Sequence, residues 1–372
     1  MPRYKFSDIA FNCTEKKMPE PGEEKMYIGL EHLDSGKLNV TRWGSDVELI
    51  GQKLLMKKGD ILFGRRNTYL KRAAIAPHDG IFSAHGMIFR PKQEIIDKDY
   101  FPFFISSDYF MNEAIRISVG SLSPTVNWKS LKELEFDIPD LDKQKRIAQI
   151  LKAANVTKES YEELLNRVDD LVKSQFIEMF GPRFETDRVK LNELGSFTIG
   201  LTYKPENITE DGTIVLRSGN IQNSELTLED DIVRVSGVKI PENKYIKDND
   251  ILMCSRNGSA ALVGKCCLIR KPAETMTFGA FMTVIRSRFP AFMYGFFQTH
   301  YFKDQLTNVG TTSINQITTK MLNNYEAVIP TEEEEQRFAK FLEQSDKSKF
   351  ELKKGIENIN ELIRSIMQNE VN

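Results

Sequence analysis

The sequence predicts an α+β protein in which two similar α/β domains are separated by two long antiparallel coiled-coil helices, with pseudo-twofold symmetry. Three observations predict this architecture. Short motifs recur about 190 residues further along the chain. Each copy ends in a segment whose apolar residues alternate at steps of three and four, which is the pattern of a coiled-coil seam. The rest of each copy consists of short β-like runs bounded by glycine and proline.

The duplication predicts two domains, over residues 1–139 and 182–330. At 372 residues the chain exceeds one typical hydrophobic core. The repeat period is too long for a solenoid, so it indicates a duplicated domain. The matched motifs are Gly59-Asp60-Ile61-Leu62 with Asn249-Asp250-Ile251-Leu252, Arg66-Asn67 with Arg256-Asn257, Val119-Gly120 with Val309-Gly310, and Ile138-Pro139 with Ile329-Pro330.

Each domain is followed by a predicted long helix, over residues 140–181 and 331–372. The first runs from about Asp142 to Phe180 and stops at Gly181-Pro182. The second helix leaves domain 2, so it must run back to pair with the first, which makes the pair antiparallel. The alternative is two surface helices that each pack only on their own domain. The residues predicted to form the helix–helix and partner-docking seam are Ile147, Leu151, Tyr161, Leu165, Val168, Phe338, Leu342, Leu352, Ile356 and Ile359.

Within the domains, the runs 60–65 and 250–256 are predicted strands, and the aromatic-rich segments 99–117 and 291–309 are each predicted to form one helix. The 51 basic and 53 acidic residues give a net charge of −2, which argues against binding nucleic acid through bulk charge alone. The charge is nevertheless sorted along the chain, because residues 53–72 contain seven lysines and arginines against one aspartate.

No catalytic or metal-binding motif is evident in the sequence. There is no phosphate-binding GxxxxGK[ST] loop, no GxGxxG after a strand, no GxSxG and no HExxH. The four cysteines and four histidines lack zinc-site spacing. The glutamate run at 332–335 suits the positive end of a helix dipole better than a metal site. There is no run of 18 apolar residues and no signal-peptide pattern, so we expect a cytoplasmic protein without membrane contact.

Basic and amide side chains follow the predicted strands in both copies, as GRRNTYLKR (64–72) and SRNGSAALVGK (255–265). Arginine can bind guanine with two hydrogen bonds, asparagine can bind adenine, and lysine binds phosphate. The alternative is a solvated loop whose arginines pair with nearby carboxylates. A second matched loop pair, 29–36 and 216–223, gives weaker candidates. The predicted DNA-binding residues are Lys57, Lys58, Arg65, Arg66, Asn67, Tyr69, Lys71, Arg72, Arg217, Ser218, Asn220, Ser255, Arg256, Asn257 and Lys265.

This order of motifs resembles the DNA specificity subunit of type I restriction-modification systems, over the whole chain. The duplicated Asp-Ile-Leu motifs, the two Ile-Pro helix starts and SQFIEMFG at 174–181 carry the resemblance together. The second helix lacks the Phe-Gly ending of the first, and the chain begins almost directly in domain 1. Docking near the two termini is therefore expected to be less symmetric than the repeat suggests.

The resemblance implies a non-catalytic subunit whose two target-recognition domains each bind half of a split double-stranded DNA sequence, with the helices setting the spacing. It also implies two docked modification (adenine methyltransferase) subunits and further restriction subunits. S-adenosylmethionine, ATP and Mg would be bound by those partners, and this chain would bind no cofactor. The alternatives are the specificity subunit of a methyltransferase-only or fused system, and a scaffold that does not bind DNA.

Overall fold

The computed structural model describes residues 1–229, 232–307 and 316–369. Two compact units are present, Met1–Glu162 with Lys353–Asn372, and Glu163–Leu352. Each unit contains one α/β domain and part of both long helices. The repeat motif at Val309-Gly310 and the last three residues of the second predicted helix lie outside the described residues.

Domain 1 contains two four-stranded sheets and one two-stranded sheet. The sheet orders are β2-β9-β6-β7, β3-β5-β8-β4 and β1-β10, and β4 and β8 are the only parallel neighbours among these described strands. The strands are β1 Arg3–Lys5, β2 Ala10–Cys13, β3 Lys16–Lys17, β4 Tyr27–Ile28, β5 Lys53–Met56, β6 Ile61–Phe63, β7 Ala73–Ile75, β8 Gly80–Phe82, β9 Met87–Pro91 and β10 Glu135–Asp137. The helices are α1 Phe6–Ile9, α2 Phe101–Ser106, α3 Asp108–Arg116 and α4 Trp128–Leu131.

Strand β6 is buried on both faces, which explains its uninterrupted apolar sequence. Ile61 and Phe63 belong to a core that includes the helix residues Phe104 and Phe110. Leu62 points to a second core, formed with residues such as Phe82. The strand therefore fixes where the following segment, residues 64–72, leaves the end of the sheet.

The first long helix, α5, runs over Leu141–Phe180 and confirms the sequence prediction. A 3₁₀ turn at Gly181–Glu185 follows it, as expected where glycine and proline stop a helix.

Domain 2 repeats the main sheet of domain 1 in the order β12-β21-β18-β19, and its second sheet has the order β13-β17-β14-β20. The parallel pair is β14 and β20, and two-stranded sheets pair β11 with β22 and β15 with β16. The strands are β11 Arg188–Lys190, β12 Gly195–Ile199, β13 Ile208–Thr209, β14 Thr213–Leu216, β15 Ile221–Gln222, β16 Glu225–Leu226, β17 Val233–Val235, β18 Ile251–Cys254, β19 Cys266–Leu268, β20 Met276–Phe278, β21 Met282–Ser287 and β22 Glu326–Val328. The helices are α6 Pro290–Gln298, α7 His300–Thr307 and α8 Thr319–Asn324.

The prediction of one helix over 99–117 and one over 291–309 was wrong, because each segment forms two helices. The backbone turns extended at Ser107 (φ −70°, ψ 152°) and at Thr299 (φ −94°, ψ 168°). The Ser107 hydroxyl donates to Phe104 O at 2.6 Å, and the Thr299 hydroxyl donates to Phe296 O at 2.8 Å. These side chains satisfy backbone groups outside a continuous helix, which is why serine and threonine favour such breaks.

In each domain the aspartate of the repeated Asp-Ile-Leu motif is buried and forms an ion pair with an arginine. Asp60 is 3% exposed and accepts from Lys57 N at 2.9 Å and from the guanidinium of Arg90 at 2.8 Å twice. Asp250 is 2% exposed and accepts in the same way from Lys247 N and Arg286. Gly59 and Asn249 precede the carboxylates at positive φ, where glycine and asparagine are tolerated best. The motif thus fixes the start of β6 and of β18.

The second long helix, α9, runs over Glu332–Asn369 and packs antiparallel to α5 within each unit. In unit 2 the rings of Phe176 and Phe338 lie 5.6 Å apart, and Asp169 forms an ion pair with Lys349. In unit 1 a Cβ on Gly355 would lie 2.4 Å from Tyr161 Cε2. In unit 1 the C-terminal Met367 of α9 also joins the domain 1 core. The alternative of helices that each pack only on their own domain is therefore excluded.

Candidate nucleic-acid interface

In domain 1 the basic segment that follows β6 lies beside the polar segment of the repeat. Val126 N donates to Arg65 O at 3.0 Å, and Asn67 N donates to Pro124 O at 2.8 Å. Val119 and Thr125 close a tight loop through mutual backbone hydrogen bonds of 3.0 and 2.9 Å. Residues 64–72 and 119–126 therefore form one surface, which we name the paired loops of domain 1.

Domain 2 joins its own segments in the same way. Ile317 N donates to Ser255 O at 2.7 Å, and Arg256 forms an antiparallel bridge with Gln316. These contacts match those of Arg65 and Arg66 in domain 1. The described residues of the paired loops of domain 2 are 255–257 and 316–317. Backbone atoms make the connection in both domains, so the same geometry forms with different side chains.

In each domain a third segment lies beside the paired loops. The second matched loop pair of the sequence forms a 3₁₀ turn after the parallel strand, over Leu30–His32 and Ser218–Asn220. The His32 ring accepts from Gly29 N at 2.9 Å, and Asn220 Oδ1 accepts from Arg217 N at 2.8 Å. Asn220 is fully buried. It holds the turn in place, so its side chain is not on the surface.

Arg72 and Lys265 occupy equivalent positions, each directly before the strand that pairs with β6 or β18. The Arg72 guanidinium donates to Leu30 O at 2.9 Å, and the Lys265 ammonium donates to Ile221 O at 3.0 Å. In domain 2, Asn257 Nδ2 also donates to Ser218 Oγ at 3.2 Å. Arg72 and Asn257 therefore tie the 3₁₀ turns to the paired loops, and Lys265 holds the residue that follows the turn of domain 2.

Four polar side chains of the paired loops of domain 1 are at least partly exposed to solvent. Tyr69 is 57% exposed, and Arg65, Arg66 and Asn67 are half-buried. Arg65 Nε and Asn67 Oδ1 are themselves shielded from solvent and have no hydrogen-bond partner among the described residues, so only the other parts of these side chains face solvent. Burial lowers the pKa of the nearby His85, and the positive charges of arginines 65 and 66 lower it further. The surface is therefore electropositive and carries donors and acceptors that can bind base edges.

Two of the other predicted residues, Lys57 and Lys58, lie outside the paired loops, and a third, Lys71, lies within them but is engaged in an ion pair. Lys57 and Lys58 precede β6, whereas the paired loops follow it, so the strand separates them. Lys71 forms a 2.5 Å ion pair with Asp108 at the start of α3. Arg217 and Ser218 lie in the cleft beside the paired loops of domain 2. DNA contact by each of the fifteen residues stays a prediction.

The ten predicted seam residues are all at least partly shielded from solvent. Ile147, Leu151, Phe338 and Leu342 are buried, with exposed fractions of 0–5%. Tyr161, Leu165, Val168, Leu352, Ile356 and Ile359 are half-buried. Their role in partner docking stays a prediction.

Sequence reasoning missed one position of the site in each domain. The strand registers place His85 and Phe281 at equivalent points, two residues before Met87 and Thr283, which pair with Phe63 and Met253. Phe281 is 58% exposed, and the Arg256 guanidinium lies 5.3 Å from its ring centroid. An exposed aromatic residue before a strand gives no signal by itself, because its neighbours are known only from the sheet register.

Within residues 1–229, 232–307 and 316–369, no group of three or more His, Cys, Asp or Glu residues is placed to hold a metal ion. No described helix is long and apolar enough to span a membrane.

The chain thus contains two copies of one domain, each with paired loops that carry an arginine and an asparagine. The family model of the type I restriction modification DNA specificity domain matches residues 11–169 and 185–361. The chain therefore belongs to this family.

Curated relatives are specificity subunits of type I restriction enzymes. The StySPI subunit of Salmonella potsdam is 28% identical over 152 residues, which are 39% of this chain and 32% of that subunit. The EcoKI subunit of Escherichia coli K12 is 29% identical over 126 residues, 32% of this chain and 27% of that subunit. The aligned regions thus span about a third of these relatives.

Solved structures share the fold over nearly the whole chain. One chain comes from a study of complex assembly and conformational transition of the type I R-M system. It has a TM-score of 0.56 and 17% identity, covering 99% of this chain and 96% of that one. The S subunit from M. genitalium has a TM-score of 0.53 and 12% identity, covering 100% and 96%. The two-domain α/β fold with its long helices is therefore that of type I specificity subunits.

Proposed function

We propose that this chain is the DNA-binding specificity subunit of a type I restriction-modification complex, and that each domain reads one half of a bipartite target. The observation that carries the proposal is the twofold construction of the paired loops. In both domains an arginine and an asparagine follow the same buried strand, and equivalent backbone contacts join this segment to the repeat segment, at Thr125 and Val126 in domain 1 and at Gln316 and Ile317 in domain 2. Because one chain carries two equivalent surfaces of this kind, it is suited to a DNA target that consists of two half-sites.

The proposal includes partners that carry the chemistry. Two modification subunits would dock on the long helices and bind S-adenosylmethionine, and restriction subunits would bind ATP and Mg. The assembly would act in the cytoplasm. Specificity subunits of related methyltransferase-only or fused systems have the same requirement for two half-sites, so the DNA-binding proposal holds for them as well.

The test is selection of bound sequences from a pool of random DNA duplexes by the full chain. Wild type should enrich two short motifs at a fixed separation. Arg66→Ala should relax one motif and Arg256→Ala the other, each costing about 1–3 kcal/mol at the affected base. Arg167→Ala is the matched control, because Arg167 is 71% exposed on α5 and pairs only with a carboxylate of its own helix among the described residues.

A scaffold would enrich no motif at any salt concentration. An unbroken motif would contradict the assignment of one half-site to each domain. Equal weakening of all sequences by both arginine variants would mean that they contact phosphates instead of bases.

A further inference from the structure

The most exposed aromatic side chain of the domain 2 surface is Phe281, at 58% exposure. It lines a cleft with Tyr203, Arg217 and Ser218. When a ligand covers an exposed phenyl ring, binding is favoured by roughly 25 cal/mol for each Å² of apolar surface removed from solvent. The cleft therefore offers an apolar contact next to basic and hydroxyl groups.

Phe281 is built into the paired loops of domain 2 by its own backbone. Its carbonyl oxygen accepts from Ser255 N and from Arg256 N, both at 3.0 Å, and from Ser255 Oγ at 3.1 Å. A buried Thr283 hydroxyl donates in turn to Ser255 Oγ at 2.9 Å. The ring therefore stands at a fixed position relative to the Arg256 backbone.

The Arg256 guanidinium lies against this ring, 5.3 Å from its centroid. Among the described residues no carboxylate forms an ion pair with Arg256, so the contact with this ring is not in competition with one. A guanidinium that stacks on an aromatic face keeps its planar set of N–H donors directed outward. Fewer conformations are then lost when those donors bind a base.

We propose, on the basis of the proposed function, that Phe281 is a specificity-determining residue of domain 2. Its ring positions Arg256 for bidentate contact with a guanine, and its free edge packs against the methyl group of a neighbouring thymine. The chemistry follows from the major groove, where guanine presents two acceptors to arginine and thymine presents a methyl group to apolar side chains. Phosphate binding alone would not use an apolar ring.

The equivalent position in domain 1 supports a role in specificity. His85 stands there, as the strand registers show, and it lines a pocket together with the equivalent Arg66. The arginine is the same in both domains while the residue beneath it differs. If the two domains bind different half-sites, a difference at this position is what a role in specificity predicts.

Three variants at one position separate the two roles, each measured by duplex selection and by competition binding with the full chain. Phe281→Tyr keeps the ring beside Arg256 and should retain the preference for guanine. Phe281→Leu keeps an apolar contact but loses the stacked ring, so preference for guanine should fall about two- to fivefold. Phe281→Ser loses both contacts, and discrimination of thymine from uracil, which lacks only the methyl group, should also fall by roughly fourfold.

Arg256 provides the test of positioning. In an Arg256→Ala background, Phe281→Leu should have no further effect on the choice of guanine, because the ring acts through that arginine. Replacing the guanine by 7-deazaguanine should likewise erase the difference between Phe281→Leu and wild type. Phe11→Leu is the control, since Phe11 is 54% exposed in domain 1 and also lies beneath a cation, with Lys92 Nζ 4.7 Å from its ring. It should leave the half-site of domain 2 unchanged.

The outcomes distinguish the inference from the proposed function. If wild type enriches no motif, DNA recognition itself is wrong. If wild type enriches a split motif but Phe281→Leu and Phe281→Ser read the half-site of domain 2 as wild type does, the role of Phe281 is overturned. Equal discrimination of thymine and uracil by wild type and Phe281→Ser overturns the methyl contact. Uniform weakening on all sequences would show a structural role only.

Discussion

Changing either buried carboxylate of the Asp-Ile-Leu motif to its amide should destabilise the domain that contains it, and the two domains should respond unequally. Each carboxylate binds three N–H donors with two oxygens. An asparagine offers one oxygen and turns an NH2 group toward a donor. Asp60→Asn and Asp250→Asn therefore each lose at least one charge-assisted hydrogen bond in a site that water barely reaches.

The size of the effect follows from the exposure of each arginine. The Arg90 side chain is 43% exposed, so water can replace part of the lost contact. We expect about 2 kcal/mol for Asp60→Asn. The Arg286 side chain is 23% exposed and is also held by Asn243 O at 2.8 Å and Tyr245 O at 2.5 Å. Its charge is less hydrated, so Asp250→Asn should cost about 3 kcal/mol.

Urea denaturation of the full chain measures the total loss, and native-state hydrogen exchange identifies the strands that open more readily. Asp170→Asn is the control, because that carboxylate is 75% exposed in an ion pair along α5 and should change stability by less than about 0.5 kcal/mol. The reasoning is refuted if both amide variants match this control, or if Asp60→Asn costs more than Asp250→Asn.

Three further predictions concern titration and helix packing. Burial raises the pKa of Glu335 despite two backbone N–H donors, so the folded state takes up a proton more readily than the unfolded state, and stability is lost as pH rises through that pKa. Glu335→Gln should therefore destabilise the chain more at about pH 5 than at pH 7 in urea titrations. Gly355→Ala should cost about 1–3 kcal/mol in the same assay, because the new Cβ meets the Tyr161 ring at 2.4 Å, and a simultaneous Tyr161→Ala should remove this penalty. Burial and neighbouring cations lower the pKa of His85, so its ring is neutral at pH 7 in the free chain. Bound phosphates would favour its protonated form, so DNA affinity in fluorescence anisotropy should rise from about pH 7.5 to pH 6, and His85→Phe should abolish that rise.

The long helices could be predicted because their signal is local and repeated. The seam from Ile147 and the seam from Phe338 each continue over many turns, so a single irregular position does not hide the period. The helix breaks at Ser107 and Thr299 could not be predicted in this way. A hydroxyl bonds to a backbone carbonyl at each break, and whether it does so or remains in solvent depends on the surrounding core.

The separate segments of the candidate site could be predicted from the sequence, but their contact with one another could not. The sequence indicated the Arg-Asn segments and, separately, the polar repeat that starts at Val119. Their contact depends on backbone hydrogen bonds between residues about 60 positions apart, such as Val126 N to Arg65 O, and backbone atoms are the same in every residue. Asp60 could likewise be recognised only as part of the repeated motif. Its ion pair could not be predicted, because its partner Arg90 is 30 residues away.

The backbone bonding of the paired loops has a consequence for how new recognition can arise. Arg65 stands where domain 2 has Ser255, and Thr125 stands where it has Gln316, yet the bridging hydrogen bonds are retained. Such a frame tolerates substitution, because no side chain is needed to close it. If these positions contact DNA as proposed, mutations can explore new target sequences there without first finding a new way to fold, and a designer could randomise them on the same principle.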